Sequence, residues 1–203
     1  ESRGLCRDKL LGRLIGGKMH SELEDYGRQF EAAAQEARDL VSGLDDARFN
    51  WRPKPGKWSI AECLDHLNSA YKALPRFDRT FAYGRSHGLV GSGPFPRSFL
   101  GNLYIRFVEP PARIRVKSPK LYQPKPDQPL EEVVPRFLQL QDELIRRVEE
   151  SDGLDLARLR MNSPITRHFK MSVAEWFAFL AAHERRHLWQ ARQVRTHLAF
   201  PPP

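Results

Sequence analysis

The chain has 203 residues, 40% of them hydrophobic, and a formal net charge of +8, which bounds it to one domain with a sizeable core. No run approaches the roughly 18 apolar residues of a membrane-spanning helix, and two cysteines, Cys6 and Cys63, cannot make a disulfide framework, so a soluble, cytoplasmic protein is expected. The 33 Lys and Arg are spread along the chain and no helix-turn-helix, zinc-finger or RNA-binding signature occurs, which leaves nucleic acid as a minor alternative partner.

The chain opens on Glu1, and Leu10, Leu11, Leu14 and Ile15 form only a short apolar patch ended by Gly16 and Gly17, too broken for a secretory core. Met19 is a candidate natural start. Residues 1–20 therefore read as an N-terminal extension, non-native or poorly ordered, and 21–203 as the folded domain. Helical spacing of Leu23, Tyr26, Phe30, Ala33, Ala37 and Leu40 predicts a first helix from Ser21 to Ser42, closed by Gly43.

A loop with Trp51, Pro53, Pro55 and Gly56 leads to Ser59-Ile60-Ala61-Glu62, a capping box that opens the second helix. Its stripe is Ile60, Cys63, Leu64, Leu67, Tyr71 and Leu74, and Pro75 is expected to kink or end it. Residues 85–129 hold eight of the sixteen prolines and read as a long irregular connection, with a short helix near Phe99–Phe107 and aromatics that pack it down. A third helix is predicted from Leu130 to Glu150. After a loop to Lys170, a second capping box, Ser172-Val173-Ala174-Glu175, opens a last helix that runs to His197. No segment alternates as a strand does. The pattern predicts an all-α four-helix bundle with a long crossover between helices two and three.

His183-Glu184-Arg185-Arg186-His187 is the most informative motif. Histidines four apart lie on one helix face, about 6 Å apart along the axis, and neutral imidazole is a common ligand for zinc, nickel and copper. Both fall on the stripe Trp176, Leu180, His183, His187, Ala191 and Val194, so both point into the bundle, where an ion would satisfy their nitrogens. His66, one turn past Cys63 on helix two, is the candidate third ligand. It stands seven residues after its capping serine, and His183 and His187 stand eleven and fifteen after theirs, so steps of four turn similar faces inward. Three histidines leave an open coordination position for water, as catalytic sites do. His20, His87, His168 and His197 read as surface or loop residues, Trp58, Trp176 and Trp189 as packing, and Arg185 and Arg186 as solvated.

The letters also spell the metalloprotease motif His-Glu-x-x-His. That reading needs a downstream third ligand, yet no Asp or Glu follows Glu184, and Gln193 stands six past His187 where a histidine would be required. Glu184 is therefore read mainly as a helix-surface residue able to pair with Lys or Arg. Glu184, Asp65 and Gln190 are the nearest candidates, all weak, for a general base.

Trp58-Ser59-Ile60-Ala61-Glu62-Cys63-Leu64-Asp65-His66-Leu67, its lead-in Trp51-Arg52-Pro53-Lys54-Pro55-Gly56-Lys57, and His183-Glu184-Arg185-Arg186-His187-Leu188-Trp189-Gln190 together resemble the DinB/YfiT-like superfamily. The resemblance implies a four-helix bundle with a long crossover, often a homodimer, and a divalent metal, zinc or nickel foremost, on His66, His183 and His187. It implies a small-molecule substrate and either hydrolysis or transfer of a low-molecular-weight thiol. A non-catalytic, metal-stabilised or ligand-binding bundle is the alternative. The 85–129 connection is longer and richer in proline than the family pattern and is expected to cover or line the metal pocket.

Overall fold

The computed structural model describes residues 19–111, 118–163 and 169–202. Residues 1–18, with Cys6 and the apolar patch, and His168 lie outside the described residues. The first helix, α1, spans Ser21–Val41 and is capped by a residue that the sequence pattern does not flag: His20 Nδ1 accepts a hydrogen bond from the Glu22 amide at 3.3 Å. Its exit turn needs Gly43, whose φ of 70° suits a residue without Cβ. A single turn, α2 (Asp46–Phe49), buries Phe49 in the following loop.

The second bundle helix, α3, spans Ile60–Asn68 behind the expected capping box: the Ser59 hydroxyl accepts from the Glu62 amide while the Glu62 carboxylate accepts from Ser59 N. The chain then tightens through a 3-10 stretch, Ser69–Ala73, into α4, Leu74–Ser86. Pro75 sits in the first turn of α4, where its missing N–H costs nothing, so the proline restarts a helix rather than breaking one. Within the long connection, α5 covers Phe99–Val108 and a 3-10 turn covers Lys120–Tyr122. The third and fourth bundle helices are α6, Leu130–Glu150, and α7, Val173–Arg195.

One element departs from the sequence reading. Arg160–Asn162 (β1) and Lys170–Ser172 (β2) form an antiparallel hairpin in which Met161 pairs with Met171. Both methionines are buried. Three-residue strands are too short to show the two-residue alternation that announces a strand.

Helices α1 and α3 each pack chiefly against α6 and α7, which sets them across the bundle from one another, while α5 lies along α7. All of Met171–Ala182 is buried, so the first half of α7 has no wet face. The core divides into two apolar clusters. One gathers Phe30, Phe77, Leu140, Trp176, Phe177 and Leu180, with Phe77 stacked on Phe177 at 5.1 Å. The other gathers Ile60, Leu64, Leu67, Phe137, Leu188 and Val194. Between them run the buried polar side chains His66, Gln141, Glu184 and His187. Burying polar groups in mid-core is costly without partners, so this layer marks where function displaces packing. No described helix is long and apolar enough to cross a membrane.

Candidate metal centre

The phases of two capped helices set the site. His66 comes from the last turn of α3, and His183 and His187 come from successive turns of α7. One ligand nitrogen from each lies within 4.8 Å of the other two. His66 Nε2 and His183 Nε2 stand 3.2 Å apart. The ring centroids are 4.6 Å apart for His66 and His187, 4.7 Å for His183 and His187, and 5.0 Å for His66 and His183.

Each ring is held. His66 Nδ1 lies 2.6 Å from the Tyr122 carbonyl oxygen. That oxygen can only accept, so the ring proton resides on Nδ1 and Nε2 keeps its lone pair toward the cluster. Metal-bound histidines are oriented in this way by carbonyl partners. Trp58 packs over His66 at 4.9 Å and His187 at 5.5 Å, and Phe179 stacks on His183 at 5.4 Å.

The rings are also kept uncharged. Burial pushes the His183 pKa down to about 3, assisted by the charges of His66 and Arg186. Burial likewise holds His187 well below the usual imidazole range, with His183, His66 and Arg186 adding to the effect and a hydrogen bond with Gln190 opposing it. His66 is lowered by burial, against its Tyr122 bond and the charge of Asp65. Neutral imidazole is the form that ligates.

Two observations test whether an ion fits. A tetrahedral zinc with bonds of about 2.0 Å places its ligand nitrogens roughly 3.3 Å apart, close to the 3.2 Å between His66 and His183. In addition, His187 Nδ1 is buried with no hydrogen-bond partner among the described residues, a ring nitrogen that a cation would satisfy. The three residues fit a divalent ion.

The histidines open onto a cavity of about 1080 Å³. Trp58, Tyr104, Trp176 and Phe179 give it aromatic walls, and Tyr122, Gln123 and Pro124 bring the long connection to its rim. Described residues of the 85–129 segment thus line the pocket, as the length and proline content of the connection led one to expect.

The candidate bases fare differently. Glu184 is a correction: it is buried, not on the helix surface, and turns toward α6, where Gln141 Nε2 donates to its Oε1 at 3.1 Å and Oε2 finds no partner among the described residues. Burial pushes this carboxyl up to about 8, against the Gln141 bond and the Arg185 charge. Asp65 accepts from the Lys125 amide at 2.8 Å and faces Arg136 at 3.9 Å, so it anchors the connection. Gln190 lines the cavity but, as an amide, is no base. The two arginines are a second correction. Arg185 is tied to Glu109 and Gln29, and Arg186 is half-buried at the cavity wall, donating to the Phe107 carbonyl at 3.2 Å. A one-stripe reading of the helix assumes a wet opposite face, and α5 covers that face. Cys63 is fully buried, as expected, and its thiol is pushed up by burial. His20 caps α1 and His87 ends α4, while His197 packs on Trp51 at 5.6 Å and lines the far part of the cavity; none of the three joins the cluster.

Fold and pocket define a helical bundle whose core carries a three-histidine cluster able to hold a metal ion. The sequence assigns the family to which such bundles belong: residues 29–191 match the DinB superfamily, and the chain is a member of it. No curated protein and no solved structure matches the chain.

Proposed function

We propose that this protein is a metal-dependent enzyme that adds a low-molecular-weight thiol to a small electrophile. The observation that carries the reading is the convergence of three uncharged imidazoles within 4.8 Å on the wall of an open cavity, not in a sealed core. Zinc or nickel held by His66, His183 and His187 would supply Lewis acidity, lowering the proton affinity of a thiol or a water beside it.

The residues around the site favour the thiol over water. Among the described residues the one carboxylate that lines the cavity is Glu62, and it is committed to Arg52 at 2.8 Å and to Ser59 N at 2.8 Å. A site without a free protein base suits the nucleophile that ionises more readily, and a thiol of pKa about 8.5 does so far more easily than water. The Tyr122 carbonyl fixes the His66 ring, and Trp58 packs against the rings of His66 and His187. The aromatic walls orient the electrophile. The thiol proton leaves through the open mouth to solvent, the sulfur electron pair forms the new bond to carbon, and the leaving group departs with its own pair.

The test is thiol consumption with 1-chloro-2,4-dinitrobenzene and a panel of small thiols, using protein loaded with zinc or nickel. Turnover that needs metal and is lost in His187→Ala supports the reading. Ester hydrolysis that proceeds without any thiol rejects it in favour of a hydrolase. A folded, metal-loaded protein that accelerates neither reaction favours the non-catalytic bundle.

The homodimer remains a proposal. Phe99, Leu100, Leu103 and Phe107 stand exposed on α5, an apolar face suited to a second copy. Light scattering after size exclusion tests it, and a monomer at micromolar concentration rejects it.

A further inference from the structure

The lining of the cavity is lopsided in charge. Lys54, Lys57, Lys72, Arg76 and Arg186 contribute to it, against the single carboxylate of Glu62. That carboxylate is already neutralised by Arg52 and by the helix start it caps. The metal reading adds to the imbalance, because three neutral imidazoles bring no negative charge to offset a divalent ion.

Three of these cations bear on recognition, and Arg76 most directly. The Arg76 guanidinium makes no hydrogen bond or ion pair among the described residues, although the residue is half-buried. Lys72, one turn earlier, donates to the Leu121 carbonyl at 2.5 Å and lies 5.3 Å above the Tyr122 ring. Tyr122 is also the residue whose carbonyl orients His66, so the turn at 120–122 ties Lys72 to the histidine cluster. Arg186 stands between the two α7 histidines in sequence, lines the cavity, and its guanidinium donates to the carbonyls of Phe107 and Val108. Cations around an apolar cavity raise the local concentration of anions, and a half-buried one such as Arg76 binds them more strongly than an exposed one.

We propose that the molecule bound in this cavity is a small amphiphilic anion. A carboxylate or phosphate head meets Arg76, supported by Lys72 and Arg186, and an apolar body lies against Trp58, Trp176 and Phe179. The proposal deepens the functional reading and rests on it in taking the histidines as the reacting end of the same pocket.

The test is calorimetric titration of the zinc-loaded full chain with octanoate, octyl phosphate and the uncharged octanamide, with metal content measured on the same samples. The anions bind at least about tenfold more tightly than octanamide, as hydrogen bonds to charged groups predict. Arg76→Gln weakens the anions by about tenfold or more while leaving octanamide and metal content unchanged. The tighter of the two anions identifies the head group. Should Arg76→Gln not fold, Lys72→Gln and a salt series on the wild type replace it: raising salt from about 0.05 to about 0.5 M weakens octanoate and spares octanamide. Equal binding of octanoate and octanamide, or equal loss of all three ligands in Arg76→Gln, overturns the proposal. Absence of metal with Arg76-dependent anion binding intact overturns the metal reading instead and leaves the anion site standing.

Discussion

His66 Nε2 and His183 Nε2 face each other at 3.2 Å across 117 positions of sequence. Their helices start from the same four-residue device, a serine and a glutamate that cap each other's backbone amides. The caps fix where each helix begins and therefore which residues turn inward seven and eleven positions later. The buried layer they create contains Gln141 and Glu184 on its far side, so the histidines are one part of a polar belt between two apolar clusters.

The Glu184 carboxyl does not line the cavity, and its bonded oxygen serves Gln141. Glu184→Gln keeps an acceptor for that amide at nearly unchanged volume. The variant is expected to stay within about 1 kcal/mol of wild-type stability in denaturant unfolding, with metal content and turnover unchanged. A folded Glu184→Gln protein without activity would make Glu184 a participant in the chemistry.

Glu175 governs acid stability at the start of α7. Burial works to raise its pKa, but hydrogen bonds from the Ser98 hydroxyl, the Ser172 amide and the Ser98 amide prevail and hold it below its ordinary value of 4.5. These bonds measure 2.6, 2.7 and 2.7 Å. A carboxylate with a depressed folded pKa contributes stability that is full above the unfolded value and is lost as the pH falls through the folded one. Glu175→Gln is expected to cost about 2 kcal/mol at neutral pH, and its unfolding curve should approach that of the wild type as the pH drops below 4.5. A difference that stays constant with pH would show that the charge of Glu175 is not what matters.

Gly101 is where α5 reaches that carboxylate. A Cβ at this position would fall 2.6 Å from the Glu175 carboxyl carbon. The side chain cannot swing away without breaking the cap and the Ser98 bonds. Gly101→Ala is expected to lower stability by about 2 kcal/mol, the usual cost of overpacking, despite the better helix propensity of alanine. An unchanged or raised Tm would mean that α5 can move off α7 at little cost.

The bundle and the triad were legible because their signals are local. Capping boxes, apolar residues at three and four, and paired histidines each lie within one or two turns of chain. Other parts of the site are not written in that form. The Tyr122 bond to His66 uses a backbone carbonyl, which carries no residue signature. Glu184 and Arg186 read as solvated only if the face of α7 opposite the histidines is wet. Gln141 of α6 covers Glu184, and α5, embedded in a proline-rich segment that hides its packing, covers Arg186. The Met161–Met171 hairpin is too short for periodicity to register. His20 caps α1 through a ring nitrogen, outside the usual Ser, Thr, Asp and Asn.

His66, His183 and His187 are proposed to hold one divalent ion. The most direct measurement is the metal content of untagged protein purified without added metal, beside His66→Ala and His183→Ala, each checked for folding by circular dichroism. About one equivalent of zinc or nickel is expected in the wild type, lost in both variants while the helical spectrum persists. A folded wild type that carries no metal and takes up none when zinc or nickel is supplied would contradict the proposal.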